Sequence, residues 1–163
     1  ACPLAEACRA AMQGIAAALP AKRRRQRAPV RRFAVVAARR GTRLLVARRP
    51  PRGLLGGLWG LPTAALTDGE SAEAAAARMV REELRVRAVR LEEIGDVEHV
   101  FTHFRMQAKV FFCDLEGDET ADRAGDPSQT WASPEALRRL PFATVDRKML
   151  TLLEESRAQL ARR

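Results

Sequence analysis

The sequence predicts an α/β fold in which a mixed β-sheet is sandwiched between helices. Short segments that alternate apolar and polar residues, or are rich in β-branched residues, are typical of strands, and two helical segments begin at clear N-terminal caps. The 163 residues are 47% hydrophobic, so we expect one core and a single domain with attached tails. No apolar run approaches the roughly 20 residues that span a bilayer, so we expect a soluble protein with no membrane partner.

The first strands are predicted at residues 33–38 and 43–47, joined by a hairpin turn of sequence Arg-Arg-Gly-Thr. A glycine-rich stretch follows at residues 48–62. We expect it to be a tight connection that packs Leu58 and Trp59 into the core. Its glycines do not match a phosphate-binding loop because the Lys-Ser/Thr pair of that motif is missing.

A helix is predicted next, at residues 72–85. Ser71 is a suitable N-cap, and Glu73 places negative charge in the first turn, where it meets the helix dipole. The alanine-rich body of this segment permits close packing against a sheet. Further strands are expected within residues 91–112, with an interruption near Gly95 or Phe101.

The C-terminal part contains one more strand and two helices in the prediction. Cys113 is expected in the core, and the acidic residues 116–128 are expected to form a loop. A short strand at residues 130–132 leads into Ser133-Pro134-Glu135, which has the N-cap, first-turn proline and first-turn acid of a helix. A final amphipathic helix is predicted from about Val145.

The charge distribution favours a polyanionic partner. The chain has a net charge of +9 and an isoelectric point near 11.0, and residues 22–32 contain seven Lys or Arg and no acid. Such a run is a solvated linker, or a linker that also contacts phosphates. Because no amphipathic helix with bulky apolar residues accompanies these charges, nucleic acid is the better partner than a membrane surface.

The amino terminus begins Ala1-Cys2-Pro3, without an initiator Met or a signal peptide, so we expect this chain to be a piece of a longer polypeptide. Cys2 and Cys8 stand at short spacing, and three cysteines cannot all pair within one chain. A reducing cytoplasm fits this cysteine content. The two thiols are also suited to be half of a four-cysteine iron-sulfur or zinc site.

The most informative segment is residues 97–112. As one continuous strand, it would place Val100, Thr102 and Phe104 on a core face and alternate with His99, Phe101 and His103. That second face carries an aromatic ring among imidazoles and cations, which suits a base or nucleotide, although a half-buried strand with solvated histidines would give the same pattern. A chain reversal near residues 101–103 is the other geometry, and it would make this segment the tip of a hairpin.

Residues 69–84 resemble the signature helix of Nudix hydrolases, whose glutamates hold a divalent metal that activates a pyrophosphate substrate. Glu82 and Glu83 match two of the metal-ligand positions, and Arg78 matches the arginine of the signature. Met79 occupies the place of the glutamate most important for catalysis, and Arg85 replaces the usual glycine. A thioether neither accepts a proton nor holds Mg²⁺, so the resemblance implies the fold without the hydrolytic site.

The whole chain also resembles the C-terminal part of MutY-type adenine DNA glycosylases. Cys2 and Cys8, the basic linker, the glycine-rich stretch, the His-Val-Phe-Thr-His-Phe segment and a strand containing Trp131 occur in that family's order. The family's Nudix-like C-terminal domain recognises 8-oxoguanine opposite a mispaired adenine. By this resemblance Phe101, Thr102 and His103 correspond to the lesion-sensing loop, which is usually Phe-Ser-His.

The resemblance implies a division of the chain and a set of partners. Residues 1–20 are the end of the cluster loop of the catalytic domain, with Cys2 and Cys8 as two of four ligands of a 4Fe-4S cluster in the full-length protein. Residues 21–32 are the linker, and residues 33–163 are the recognition domain. The expected partners are double-stranded DNA with an 8-oxoguanine:adenine pair and the missing N-terminal catalytic domain.

Three functions follow as hypotheses from different classes. The first is a monomeric recognition domain in the cytoplasm, associated with the nucleoid in a bacterium, that excises nothing without its catalytic partner. The second is a free-standing Nudix-type hydrolase of nucleoside diphosphate derivatives, which requires Mg²⁺-dependent turnover. The third is a protein-interaction module, whose binding would show little dependence on salt, whereas DNA binding weakens steeply as salt rises.

Overall fold

A mixed β-sheet forms the centre of the computed structural model, which describes residues 2–19, 28–84, 88–115 and 128–160. The strands are β1 Val30–Arg40, β2 Arg43–Arg48, β3 Trp59–Gly60, β4 Thr63–Ala65, β5 Ala88–Val100, β6 Arg105–Leu115 and β7 Gln129–Ala132. Strands β1 and β6 pair in parallel over ten positions, from Val30 opposite Arg105 to Arg39 opposite Asp114, while β5 and β6 pair antiparallel. The order across the sheet is β3-β2-β1-β6-β5, with β4 beside β1 and β7 beside β2.

Helices lie on both faces of this sheet, which confirms the predicted sandwich. Alternation along β1 sends Val35 towards one apolar cluster and Val36 towards another. The first cluster includes buried residues of the C-terminal helix, and the second includes those of the Ala72–Met79 helix. The helices of four or more residues with α geometry are α1 Arg9–Met12, α2 Ala72–Met79, α3 Pro134–Arg139 and α4 Thr144–Leu160.

Side-chain caps start α2 and α3 where the sequence predicts them. The Ser71 hydroxyl accepts a hydrogen bond from the Ala74 amide at 3.1 Å, and the Ser133 hydroxyl accepts one from the Ala136 amide at 3.2 Å. The α-helical part of α2 ends at Met79, before the predicted residue 85, because the backbone widens into a π-helical turn at Val80–Leu84. A periodicity near 3.6 does not distinguish such a turn from α-helix.

Strand β1 begins three residues before the predicted start, at Val30. Arg31 and Arg32 therefore belong to the sheet, opposite Met106 and Gln107 of β6, although the sequence places them in the linker. Backbone pairing with β6 explains the difference, since ladder hydrogen bonds do not require apolar side chains. Residues 21–27 of the basic linker lie outside the described residues, as do residues 116–127 of the acidic loop.

Several core predictions are confirmed. Cys113 is fully buried in β6, and Leu58 and Trp59 pack half-buried against the first cluster. Gly41 adopts a positive φ of 57° in the turn between β1 and β2, a conformation that glycine takes without strain. Among the described residues no helix has the length and apolar character needed to cross a membrane.

Candidate nucleic-acid interface

The chain reverses at Phe101–Phe104, so that β5 and β6 form a hairpin with Thr102 and His103 at its apex. The Phe101 amide donates a 2.8 Å hydrogen bond to the Phe104 carbonyl, and Val100 lies opposite Arg105. The hairpin geometry is therefore confirmed, and the continuous strand is wrong. We call residues 101–104 the tip.

The reversal changes which side chains face the core. Val100 is 66% exposed and Thr102 is exposed, although the alternation placed both on the core face. Phe104, Met106 and Ala108 are buried as predicted: Phe104 is the last residue of the tip, and Met106 and Ala108 belong to the regular strand β6 that follows it. Alternation predicts the face of each side chain only within one continuous strand. Because the chain turns here, the pattern before the turn does not predict the faces of the residues in and after it.

Aromatic rings fix the base of the tip. The ring centroids of Phe101 and Phe104 are 4.8 Å apart, and the His99 imidazole meets the Phe101 ring edge-on at 4.7 Å. The Phe33 ring lies 6.3 Å from that of Phe104. Phe101 is half-buried against the first cluster, so its ring is held in place while part of it stays accessible.

The apex itself is polar and open. Thr102 and His103 are both exposed, and neither side chain has a hydrogen-bond partner among the residues that the structure describes. A threonine hydroxyl both donates and accepts, and a neutral imidazole offers one donor and one acceptor. The apex therefore presents unpaired hydrogen-bonding groups beside a fixed aromatic ring.

Cations surround this end of the sheet. The Arg31 guanidinium lies 4.9 Å from the centre of the Phe104 ring, and Arg105 donates its backbone amide to the Pro29 carbonyl at 2.9 Å. Both arginine side chains are exposed. The sequence has no Asp or Glu between Glu6 and Asp68, so β1 itself contains no acid. Arg39, at the end of β1 far from the tip, is paired with Asp114, whereas Arg31 and Arg105 beside the tip form no ion pair among the described residues.

A buried ion pair anchors the glycine-rich stretch on the same core. The Arg49 guanidinium donates to both Asp146 carboxylate oxygens, at 3.0 and 2.9 Å, and to the Trp59 carbonyl at 3.2 Å. Asp146 has no exposed surface. A Cβ at Gly60 would lie 2.5 Å from the guanidinium, so a side chain at this position would have to displace Arg49 from its pair with Asp146. Sequence reasoning missed this pair because 97 residues separate its members.

The segment that resembles the Nudix signature is held by an ion pair of its own. Arg78 donates from Nε and Nη2 to the two Glu70 carboxylate oxygens, at 2.9 and 3.0 Å. The Thr67 amide donates to the same carboxylate at 2.9 Å. Hydrogen bonds from Arg78 and then from Thr67 lower the pKa of Glu70 from 4.5 to about 2. The sequence matched Arg78 to the signature but did not predict its partner.

Among the side chains that the structure describes, the positions that correspond to metal ligands do not form a complete site. Met79 is fully buried in the second cluster, and Glu82 is exposed, 3.6 Å from Arg81. The side chain of Glu83 and all of Arg85 lie outside the described residues. No group of three or more His, Cys, Asp or Glu side chains suited to a metal ion is found in the described part of the chain.

The two N-terminal cysteines flank a short 3₁₀-helix, Ala5–Ala7. Cys2 is exposed and Cys8 is partly exposed, and both thiols are free. The apolar side chains that follow, Met12, Ile15 and Leu19, are also exposed. This segment thus presents thiols and apolar groups that the described domain does not cover.

Comparison with known proteins gives the family and several relatives with a named function. The model of the NUDIX domain matches residues 33–152. The adenine DNA glycosylase of Mus musculus is 28% identical over 121 residues, and that of Rattus norvegicus is 30% identical over 119 residues. Each alignment covers 72% of this chain and 23% of the relative, so the chain spans less than a quarter of the length of these curated proteins.

Two solved structures show the same fold at 25% identity. The C-terminal domain of mouse MUTYH, solved in complex with human PCNA, has a TM-score of 0.60 and covers 79% of this chain and 89% of that one. The MutT NUDIX hydrolase from Burkholderia pseudomallei has a TM-score of 0.63, with 76% and 97% covered. The fold is therefore common to a glycosylase domain and to a hydrolase, and the site residues have to distinguish them.

Proposed function

This chain belongs to the NUDIX domain family, and from that premise we propose that it is the lesion-recognition domain of an adenine DNA glycosylase. Its similarity to adenine DNA glycosylases supports a role in DNA repair. We further propose that the domain binds double-stranded DNA and recognises 8-oxoguanine opposite adenine. The observation that carries this proposal is the tip, with Thr102 and His103 open beside the held ring of Phe101.

The chemistry of the lesion suits these groups. Guanine has only acceptors at N7 and O6 in the major groove, whereas 8-oxoguanine has an N–H at position 7 and an added carbonyl at position 8. The Thr102 hydroxyl is able to accept from that N–H, and the His103 imidazole is able to donate to a carbonyl or phosphate oxygen. Phe101 supplies a flat apolar surface beside the base.

The charge near the tip supports binding to the DNA backbone. Arg31, Arg32 and Arg105 are exposed at the end of the sheet where the tip lies. Lysine and arginine side chains at such a position displace the counterions of phosphates and give affinity without sequence preference. In the proposal these cations hold the duplex, and the tip distinguishes the damaged base.

Removal of the adenine is assigned to the catalytic domain, not to this chain. Cys2 and Cys8 are proposed as two of the four ligands of a 4Fe-4S cluster, which cysteine thiolates hold in such sites. The free thiols fit that donor set, and their exposed surroundings fit a segment that packs on another domain. The described residues contribute no further cysteine near them, so the remaining ligands would come from the rest of the protein.

The alternative is a Nudix-type hydrolase, which the structural similarity to the MutT hydrolase supports. Met79 argues against it, because a buried thioether stands where the resemblance requires a carboxylate that binds Mg²⁺. The two functions are separated by a direct assay with Mg²⁺ and nucleoside diphosphate derivatives. Turnover that depends on Mg²⁺ would favour the hydrolase and contradict the recognition domain.

The proposed function is tested by fluorescence anisotropy with this chain and two duplexes that differ only in 8-oxoguanine:adenine or guanine:adenine at one position. We expect binding that weakens as salt rises and that is tighter for the oxidised duplex. NMR spectra of the labelled chain should show the largest shifts at residues 101–105. Binding that ignores salt, or equal affinity for the two duplexes with no shift at the tip, would overturn the proposal.

A further inference from the structure

A groove opens on the face of the sheet that carries α3 and α4, beside the turn between β1 and β2. Its volume is about 320 Å³. The floor is made of buried apolar side chains, and the walls are apolar side chains that remain partly exposed. The floor consists of Leu44, Phe142 and Leu153, and the walls of Phe112, Leu137 and Leu150.

The rim of the groove carries more positive than negative charge. Arg138 and Arg147 line it from α3 and α4, and both are exposed without an ion pair among the described residues. Glu154 is the one carboxylate among the described residues that line the groove. The neighbouring Arg139, in contrast, is paired with Glu135 and does not line the groove.

The groove is far from the tip. Strand β1 has its first residue, Val30, beside Arg105 next to the tip, and its last residue, Arg40, at the turn that contains Thr42 of the groove. Eleven residues of strand span about 30 Å. A duplex held at the tip would therefore leave the groove open to another partner.

We propose that this groove docks a short acidic peptide of a protein partner, with one or two bulky apolar side chains inserted between α3 and α4. The volume accommodates about one or two such side chains, so a linear segment fits better than a flat protein surface. The apolar floor and walls select the anchor, and the unpaired cations on the rim select flanking carboxylates. Nucleic acid lacks an aliphatic anchor for the floor.

The test uses a fluorescein-labelled peptide of three aspartates, leucine, phenylalanine and three aspartates, titrated into the whole chain. A second peptide replaces the leucine and phenylalanine by glycine and serine, and a third replaces the aspartates by lysines. We expect saturable binding of the first peptide only. NMR shifts should concentrate on Leu137, Leu150 and their neighbours, and they should persist when a duplex is bound.

Two variants in the groove and one control outside it make the assignment specific. Arg138→Glu with Arg147→Glu should weaken binding by about tenfold or more, whereas Arg139→Glu, next in the same helix and outside the groove, should leave it nearly unchanged. Thr151→Trp, at an exposed position on the groove wall, should block the groove without a change in the core. Because these positions are exposed, circular dichroism should show the native fold for all of them.

Several results would overturn the proposal. One is the absence of binding at about 1 mM peptide, and another is equal binding of the first and second peptides, which would show charge attraction alone. An equal loss of peptide binding in Arg139→Glu would also show that the binding is charge attraction alone. If sedimentation reveals a dimer that Thr151→Trp disrupts, the groove is an interface between copies of this chain. DNA binding at the tip is measured separately, so its failure and the failure of this proposal are distinguishable.

Discussion

Arg49 and Asp146 face each other with two hydrogen bonds in the interior of the domain, and they join the glycine-rich stretch to the first turn of α4. The carboxylate is fully buried, and the guanidinium is mostly covered. Removing one member of such a pair leaves the other charge buried without compensation. The stretch that follows β2 depends on this contact for its path.

Asp146→Ala should lower the free energy of unfolding by about 3 kcal/mol, since the Arg49 guanidinium would lose its buried counter-charge. Urea denaturation followed by tryptophan fluorescence measures the change. The matched control is Glu135→Ala, which removes the exposed partner of Arg139 and should cost less than about 1 kcal/mol. Equal losses of stability for the two variants would show that the buried pair contributes no more to the free energy of unfolding than the exposed pair does.

Glu70 should make stability depend on pH in acid. Its pKa is lowered from 4.5 to about 2 in the folded chain, so its contribution is present above pH 4.5 and is lost as the pH falls from 4.5 towards 2. Glu70→Gln should remove this part of the pH dependence. Urea midpoints between pH 6 and pH 2 test it, with Glu73→Gln on the exposed face of α2 as the control. An unchanged profile in Glu70→Gln would contradict the prediction.

The tip should govern discrimination between damaged and normal bases. Thr102→Ala and His103→Ala should each reduce the preference for 8-oxoguanine:adenine over guanine:adenine by about tenfold, the effect of one base contact. Both side chains are exposed, so stability should not change. Anisotropy titrations with the two duplexes provide the comparison. Equal weakening on both would assign the residues to general affinity instead.

The cations beside the tip should act on all duplexes alike. Arg31→Ala combined with Arg105→Ala should weaken binding to both and reduce the salt slope by about 2, because two phosphate contacts are removed. Arg90→Ala, in β5 and paired with Glu92, is the control and should leave the slope unchanged. A loss of binding confined to the 8-oxoguanine:adenine duplex would contradict this prediction.

Met79→Glu should not create a hydrolase. The side chain at this position is fully buried among apolar groups, so a carboxylate there would be desolvated and without a partner. We expect a clear loss of stability in urea and no Mg²⁺-dependent release of phosphate or pyrophosphate products. The control is Met79→Leu, which should keep most of the stability. Hydrolysis by the glutamate variant would show that the site lacks only this one group.

Local features of the fold were predictable from the sequence, and distant ones were not. Ser71 and Ser133 cap their helices through amides three residues away, so the pattern that identifies them is contiguous. The reversal at the tip contains no Gly or Pro, so the alternation of residues alone left both a strand and a hairpin open, and the pairing of β5 with β6 decides for the hairpin. The same holds for Arg49 and Asp146, which no periodicity connects.

The candidate site likewise has residues that were predictable from the sequence and residues that were not. Phe101, Thr102 and His103 were singled out from residue type and order, and the structure brings them to one hairpin. Arg31 and Arg32 were assigned to a linker, because only the parallel pairing of β1 with β6 places Arg31 over the Phe104 ring. Long-range pairing is a property of the fold that a pattern of neighbouring residues does not contain.

The bond between the Arg105 amide and the Pro29 carbonyl fixes where the polypeptide enters the domain. Entry occurs at the root of the tip, and from there β1 runs straight into the middle of the sheet. A protein domain attached ahead of residue 28 would thus be tethered on the side where the tip projects. If the proposed function holds, a catalytic domain attached there would lie on the same side of the sheet as the tip, and so near the base opposite the one that the tip contacts.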